Sequence, residues 1–304
     1  MVSILCFRAS LKPIFLLKNA VLLSMTVGLF SVTSVLAAEG KIVATAGLSQ
    51  LEGSGGGGLV PWATLAGYDS RDEIAASAFM TDVNVTDYRL SSMGVAVGFY
   101  DKVELSFAQQ TFALPASLIT GLGLNSAEIK QNIVGIKLRL YGDAVYSAYP
   151  QISVGLQHKQ LDKATIATYL GAKDSEGTDV YLAATKVHLG ALGGYNLVWN
   201  VTARATKANE MGLLGYGGPD NKHYQVMMES SVGVLLSPHW VIGMEYRQKP
   251  NNLSSVEEED WSDVFVSYLP NKNVSFTAAY ANLGTIATKA DQSGVYLSMT
   301  GYLW

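Results

Sequence analysis

The sequence predicts an all-β chain: an antiparallel transmembrane β-barrel of about fourteen strands, with twelve strands and an N-terminal plug as the alternative. Three observations carry this reading. Charge is sparse while glycine and tyrosine are abundant, an apolar leader precedes a cysteine-free remainder, and side-chain character alternates over bilayer-length segments. Charged residues are 15% of the 304, with 30 glycines and 16 tyrosines, where soluble domains carry roughly 25% charge. Glycine at that level without a collagen period, beside many aromatics, suits twisted strands and turns.

The first element is the leader. Arg8, Lys12 and Lys18 precede NAVLLSMTVGLFSVTSVLA, and the small-residue exit VLAAEG follows, the layout of a secretory signal peptide over residues 1–38 with cleavage after Ala37 or Ala38. A retained anchor is the rival reading, because the run nears the ~20 residues of a spanning helix. Removing the leader's three positive charges moves the formal charge from −4 to −7. That balance argues against nucleic acid, which needs a basic face. Cys6, the single cysteine, leaves with the leader, so residues 39–304 depend on sheet or core rather than disulfides. No later segment matches a spanning helix in length, so membrane entry requires a closed barrel.

The strands follow from alternation. In YNLVWNVTARAT, Tyr195, Leu197, Trp199, Val201, Ala203 and Ala205 share one face, opposite Asn196, Asn200, Thr202, Arg204 and Thr206. Period two over that length is a strand signal. It recurs in YQVMMESSVGVLL, WVIGMEYRQ, KVELSFAQQ and VSFTAAYA. A soluble sandwich points the apolar face inward and a membrane barrel points it outward. Three features choose the barrel: Tyr and Trp at strand ends, tight connections alternating with long ones, and an aromatic C-terminus.

The tight set is Asp69 to Arg71, Tyr100 to Lys102, Gly142 to Ser147, Leu192 to Gly194, Ser237 to His239 and Asn271 to Lys272. The long set is Thr111 to Ser126, Gln160 to Thr178, Ala208 to Asn221, Lys249 to Asp260 and Asn282 to Ser293, with Asp82 to Asp87 short. Short periplasmic turns and longer external loops fit an outer-membrane protein. The last strand then runs inward, and Tyr302 and Trp304 in YLW supply the terminal signal that barrel-assembly machinery reads. Counting back from Trp304 puts Ser298 and Thr300 on the lipid face, where they are weak membrane residues. Thirteen strands from Leu59 onward violate the even count of bacterial barrels. Either GKIVATAGLS adds a strand, giving fourteen, the favoured count, or the chain through Tyr68 is partly a plug, giving twelve. Residues 52–58, EGSGGGG, then form an external loop or fold into the lumen.

GGGGLVPWATLAGY, DYRLSSMGVAVGFYDKVELSFAQQTF, RATKANEMGLLGYGG and EYRQKPNNLSSVEEEDWSDVFVSYLPNKNVSFTAAYANLG resemble the family catalogued as domain of unknown function 3034, over about Lys41 to the end. The resemblance implies a secreted outer-membrane protein and brings no catalytic residue or substrate.

Residues able to do chemistry are few. GSGGGG is followed by LVPW, without the cation or helix of a phosphate loop, and reads as a flexible loop. His158, His188, His223 and His239 lack metal-ligand spacing, and SSM, ESS and SPH show no nucleophile elbow. No cofactor, metal or catalytic residue is expected. Charges predicted on inward faces are the stronger signal: Glu104, Lys137, Arg139, Lys186, Arg204, Glu229, Glu245, Arg247 and Asp263. Arg or Lys facing lipid at the midplane costs about 2 to 4 kcal/mol, so they must line water or one another. Ser92, Gly94, Ala96 and Gly98 make a smooth inner wall with room for a plug or solute. The acidic run Glu257 to Asp260 reads as a solvated external face that could meet divalent ions on lipopolysaccharide.

The functional expectation is a non-enzymatic passive channel or transporter for small solutes, hydrophobic ones included, surrounded by outer-membrane lipid. A structural or adhesive barrel with a closed lumen is the alternative, and a lipid-modifying enzyme is the third reading.

Overall fold

The computed structural model describes residues 47–115, 120, 128–254, 257–287 and 289–303; the leader and Trp304 lie outside them. Twelve strands close into one barrel. In chain order they are β1 Ile74–Val85, β2 Arg89–Phe99, β3 Val103–Ala113, β4 Glu128–Tyr141, β5 Gln151–Leu161, β6 Glu176–Leu192, β7 Tyr195–Thr206, β8 Gln225–Ser237, β9 Trp240–Arg247, β10 Trp261–Tyr268, β11 Val274–Asn282 and β12 Ser293–Leu303. Each pairs antiparallel with its neighbour in sequence, and β12 closes on β1 with Met299 opposite Met80. Closure leaves no sheet edge, the condition for strands to cross hydrocarbon.

The facing is that of a membrane barrel. Leu105, Phe107, Val134, Ile242, Met244, Val264, Val266 and Leu297 stand exposed, while Ser106, Thr202, Ser231 and Thr277 on the opposite faces are buried. Water would drive the first set inside, so this outer surface is made for lipid. Aromatics gather near strand ends, as at a bilayer interface: Trp240 packs on Tyr268 with ring centroids 4.6 Å apart. The Leu192–Tyr195 turn is tight because Gly193 and Gly194 both take positive φ, 60° and 96°, as a two-residue hairpin loop of the favoured hand requires.

Twelve strands plus a plug is the second of the two expected counts. Residues 51–67 are buried without alternation, and Pro61 cannot donate to a ladder. Leu59 to Tyr68 therefore do not form a wall strand. Within this stretch and its approach, Leu48–Ser49 pair with Gly55–Gly56 in a small ladder of their own. Asp69 to Arg71 lead from plug to β1 instead of turning a hairpin; Asp69 Oδ2 accepts the Asp101 N–H at 2.8 Å. The connection after β4 runs on to Pro150, beyond Ser147.

The last strand also faces differently from a count back from Trp304. Val295, Leu297 and Leu303 are exposed, whereas Tyr296, Thr300 and Tyr302 are buried. Tyr302 points inward because it has partners there: it meets Tyr68 edge-on at 5.2 Å, and its hydroxyl donates to the Gly47 carbonyl at 2.9 Å.

Among the described residues the long loops carry a short helix, α1 Thr165–Tyr169, and a 3-10 turn, Asn209–Gly212. The acidic run is only partly a solvated face. Glu258 is buried, because it receives the Glu210 N–H at 2.9 and 3.0 Å and lies 3.9 Å from the Lys249 ammonium.

Candidate functional site

The lumen is the site, and residues 47–68 fill it. A short glycine-rich segment suits this task because its backbone can come close to wall side chains. A Cβ on Gly57 would fall 1.8 Å from Glu245 Oε1, and one on Gly55 would fall 2.7 Å from the Ala66 nitrogen. GSGGGG is thus a tightly held element and not a flexible loop. Its backbone N–H groups bind anions, but the anions are the protein's own carboxylates. Glu245 accepts from Gly58 at 2.6 Å, from Leu59 at 2.7 Å and from the Ser231 hydroxyl at 2.7 Å. Glu104 accepts from Gly55 at 3.1 Å and Ala66 at 2.7 Å. Lys137 donates to the carbonyls of Gly55 at 2.7 Å and Thr64 at 2.8 Å, and to Glu104 at 3.2 Å.

A charged knot lies nearer the loop end. Glu52 of the plug, fully buried, meets Lys159, Arg247 at 2.9 Å and Arg204 at 3.4 Å. Asp179 pairs with Lys159 at 2.7 Å and Arg204 at 3.4 Å, and Glu229 pairs with Arg204 at 2.5 Å and Arg247 at 3.3 Å. Three cations thus balance three carboxylates. Balance is what permits burial: an unpaired ion in this interior would cost several kcal/mol. The Arg204 guanidinium also donates to Gln157 at 2.7 Å and lies over the Tyr181 ring at 5.2 Å.

Uncharged wall residues complete the grip. Ser92 and Gln110 donate to the Leu51 carbonyl at 2.6 and 3.1 Å, Gln151 and Ser153 to Ala63 at 2.7 and 2.5 Å, and Thr202 to Pro61 at 2.8 Å. The smooth face of β2 lets the plug lie close: a Cβ on Gly98 would meet the Ala66 carbonyl at 2.9 Å. Over the knot, the Met211 carbonyl accepts from Lys159 at 3.2 Å and Gln131 at 3.3 Å, so the β7–β8 loop folds in as a lid. The lid is latched by Lys249, which donates to Glu210 at 2.9 Å. Burial and the neighbouring Glu210 push the Glu258 carboxyl up to about 8, against the pull of Lys249.

Seven of the nine charges expected on inward faces, Glu104, Lys137, Arg204, Glu229, Glu245, Arg247 and Asp263, are buried in the lumen. Asp263 lies directly across the β9–β10 pair from Glu245. Arg139 sits at the turn-end rim, bound to Asp101, to Asp143 at 3.1 Å and to the Gly142 carbonyl at 2.6 Å. Lys186 is not a lumen residue. It shares the outward parity of Val180 and Leu182, and its ammonium is covered by the Ser147 carbonyl of the 142–150 connection. Three members of the machinery were missed: Glu52, Lys159 and Asp179. Lys159 and Asp179 carried a usable signal, since each continues the inward parity of its strand. His158, His188, His223 and His239 are exposed, and no cluster of metal-ligating residues occurs among the described residues.

A closed antiparallel barrel with a lipid-facing belt and a polar, filled lumen defines an outer-membrane-type β-barrel protein. Residues 45–300 match the family model described as protein of unknown function (DUF3034), and the chain belongs to that family. No curated protein matches it. Among solved structures the chain is similar to the KdgM porin, at 10% identity and TM-score 0.47 over 74% of this chain and 98% of that one. It is similar also to the NanC porin, at 8% identity and TM-score 0.46 over 75% and 100%, and to LpxR from Salmonella typhimurium, at 10% identity and TM-score 0.46 over 75% and 99%.

Proposed function

We propose that the protein is a passive outer-membrane transporter for small solutes whose resting state is stoppered by its own N-terminal segment. The polar character of the interface between plug and wall supports this. A barrel meant only to be solid could be filled with apolar side chains, which pack well and need no partners. This one surrounds its plug with Glu104, Lys137, Arg204, Glu229, Glu245 and Arg247. Those groups can be rehydrated when the plug moves, leaving a wall of mixed charge that screens solutes by size and polarity. No energy coupling and no catalytic step belong to this reading. Surrounding lipid meets the apolar belt, lipopolysaccharide meets the loop end, and assembly machinery reads the last strand.

Single-channel recording in planar bilayers tests the reading. The wild-type barrel is expected to be closed with rare openings, and Glu52→Ala, checked as folded by heat-modifiable gel mobility, is expected to open often. A folded Glu52→Ala barrel that never conducts would favour the structural, closed-lumen alternative.

A further inference from the structure

The two ends of the lumen differ in chemistry. At the turn end, positions that elsewhere carry charged or hydroxyl side chains carry Val187, Val198, Val241 and Phe265. With Trp62 of the plug and Leu269 they line a cavity. None of its lining residues is charged. Polar groups in the lining are mostly engaged elsewhere. Thr185 Oγ1 accepts from Ala63 and donates to Asn200, both at 2.8 Å; Ser267 bonds Thr277 at 2.8 Å; Asn196 accepts from Gly190 at 2.9 Å. Thr64 is different. The residue borders the cavity, and its hydroxyl oxygen is covered and has no hydrogen-bond partner, a condition native structures rarely leave without a reason; turning that side chain toward the cavity breaks no hydrogen bond.

We propose that this cavity binds a neutral small molecule, an apolar body seated against Val187, Val198, Val241 and Phe265 with one hydrogen-bonding group that the Thr64 hydroxyl meets by rotating toward it. A mostly apolar hollow bordered by a few polar side chains is the usual build of a small-molecule site. A charged ligand would lose its hydration here and gain no counter-ion. The inference deepens the transport reading by naming the class of cargo. It rests on that reading only for the idea that the ligand is carried, because binding itself needs no passage.

The test uses the full mature barrel in lipid nanodiscs and the probe 4-bromobenzyl alcohol, whose bromine quenches a nearby indole. Saturable quenching is expected in the wild type and is expected to vanish in Trp62→Phe. Thr64→Val should weaken binding by about fivefold, the worth of one net hydrogen bond. The anion 4-bromobenzoate should bind at least about tenfold more weakly. Quenching that never saturates, or that persists unchanged in Trp62→Phe, overturns the site. Equal binding of the benzoate overturns the neutral class, and equal binding by Thr64→Val overturns the role of the hydroxyl. Saturable binding by a barrel that never conducts, even with its plug released, defeats the transport reading alone; conduction without binding defeats this inference alone.

Discussion

The loop half and the turn half of the lumen solve one problem, how to fill the inside of a barrel, with opposite chemistry. Toward the loops, Glu52 is enclosed by Lys159, Arg204 and Arg247, themselves balanced by Asp179 and Glu229. Toward the turns, Val187, Val198, Val241 and Phe265 face a hollow bordered by Trp62. The first half is directional: every group in it fixes a partner's position, and removing one leaves a buried charge uncompensated. The second is non-directional and tolerant of small changes. The plug is therefore held by its charged end and leaves space at its apolar end.

The largest break in that comparison is Glu52→Ala. It leaves three buried cations facing two carboxylates, Asp179 and Glu229; one uncompensated buried charge costs about 3 to 5 kcal/mol, and the plug should detach while the barrel stays closed. Protease sensitivity of residues 47–68 against intact heat-modifiable mobility reads this directly. Gly57→Ala comes next, since its Cβ would collide with the Glu245 carboxylate. Overpacking of this kind costs about 1 to 3 kcal/mol, and a lower melting temperature for plug release in calorimetry is the expected sign.

A smaller effect is one of pH. The folded lid holds Glu258 protonated up to about 8, above its ordinary 4.5, so the folded state binds more protons than the unfolded one across that window. Lid stability is therefore greatest below the ordinary carboxyl range and falls as pH rises toward 8. Hydrogen exchange in the 207–224 loop should quicken from pH 5 to pH 9 in the wild type and show a flatter dependence in Glu258→Gln. The smallest effect sharpens the contrast between inside and outside. His158→Ala, at an exposed side chain bonded to Thr178 at 3.0 Å, should shift stability by less than about 0.5 kcal/mol in thermal melts.

Much of the wall was legible because lipid outside and polar groups inside impose period two. Glu104, Arg204, Glu229, Glu245 and Arg247 were found by parity alone. The plug was harder. Nothing in QLEGSGGGGLVPW marks Glu52 as buried, since its partners lie more than a hundred residues away and glycine runs also make loops. Lys159 and Asp179 were passed over although they flank the expected Gln160 to Thr178 loop on its strand sides, because a charged residue beside a loop looks solvated when its partner is unseen. Lys186 was misplaced for the opposite reason: its charge suggested the lumen, although parity with Val180 and Leu182 placed it outside, where a turn carbonyl covers it. Val198 sits unannounced among polar neighbours, which is why the apolar hollow emerged only with the fold.

Hydrogen exchange of the plug in the native, lipid-embedded protein tests the central claim most directly. The amides of Gly55, Gly58, Leu59, Ala63 and Ala66 donate to the wall side chains Glu104, Glu245 and Thr185. They should exchange as slowly as amides in the middle of β3 or β9. Exchange of those five at the rate of an unstructured peptide, with the strands still protected, would mean that residues 47–68 do not occupy the lumen.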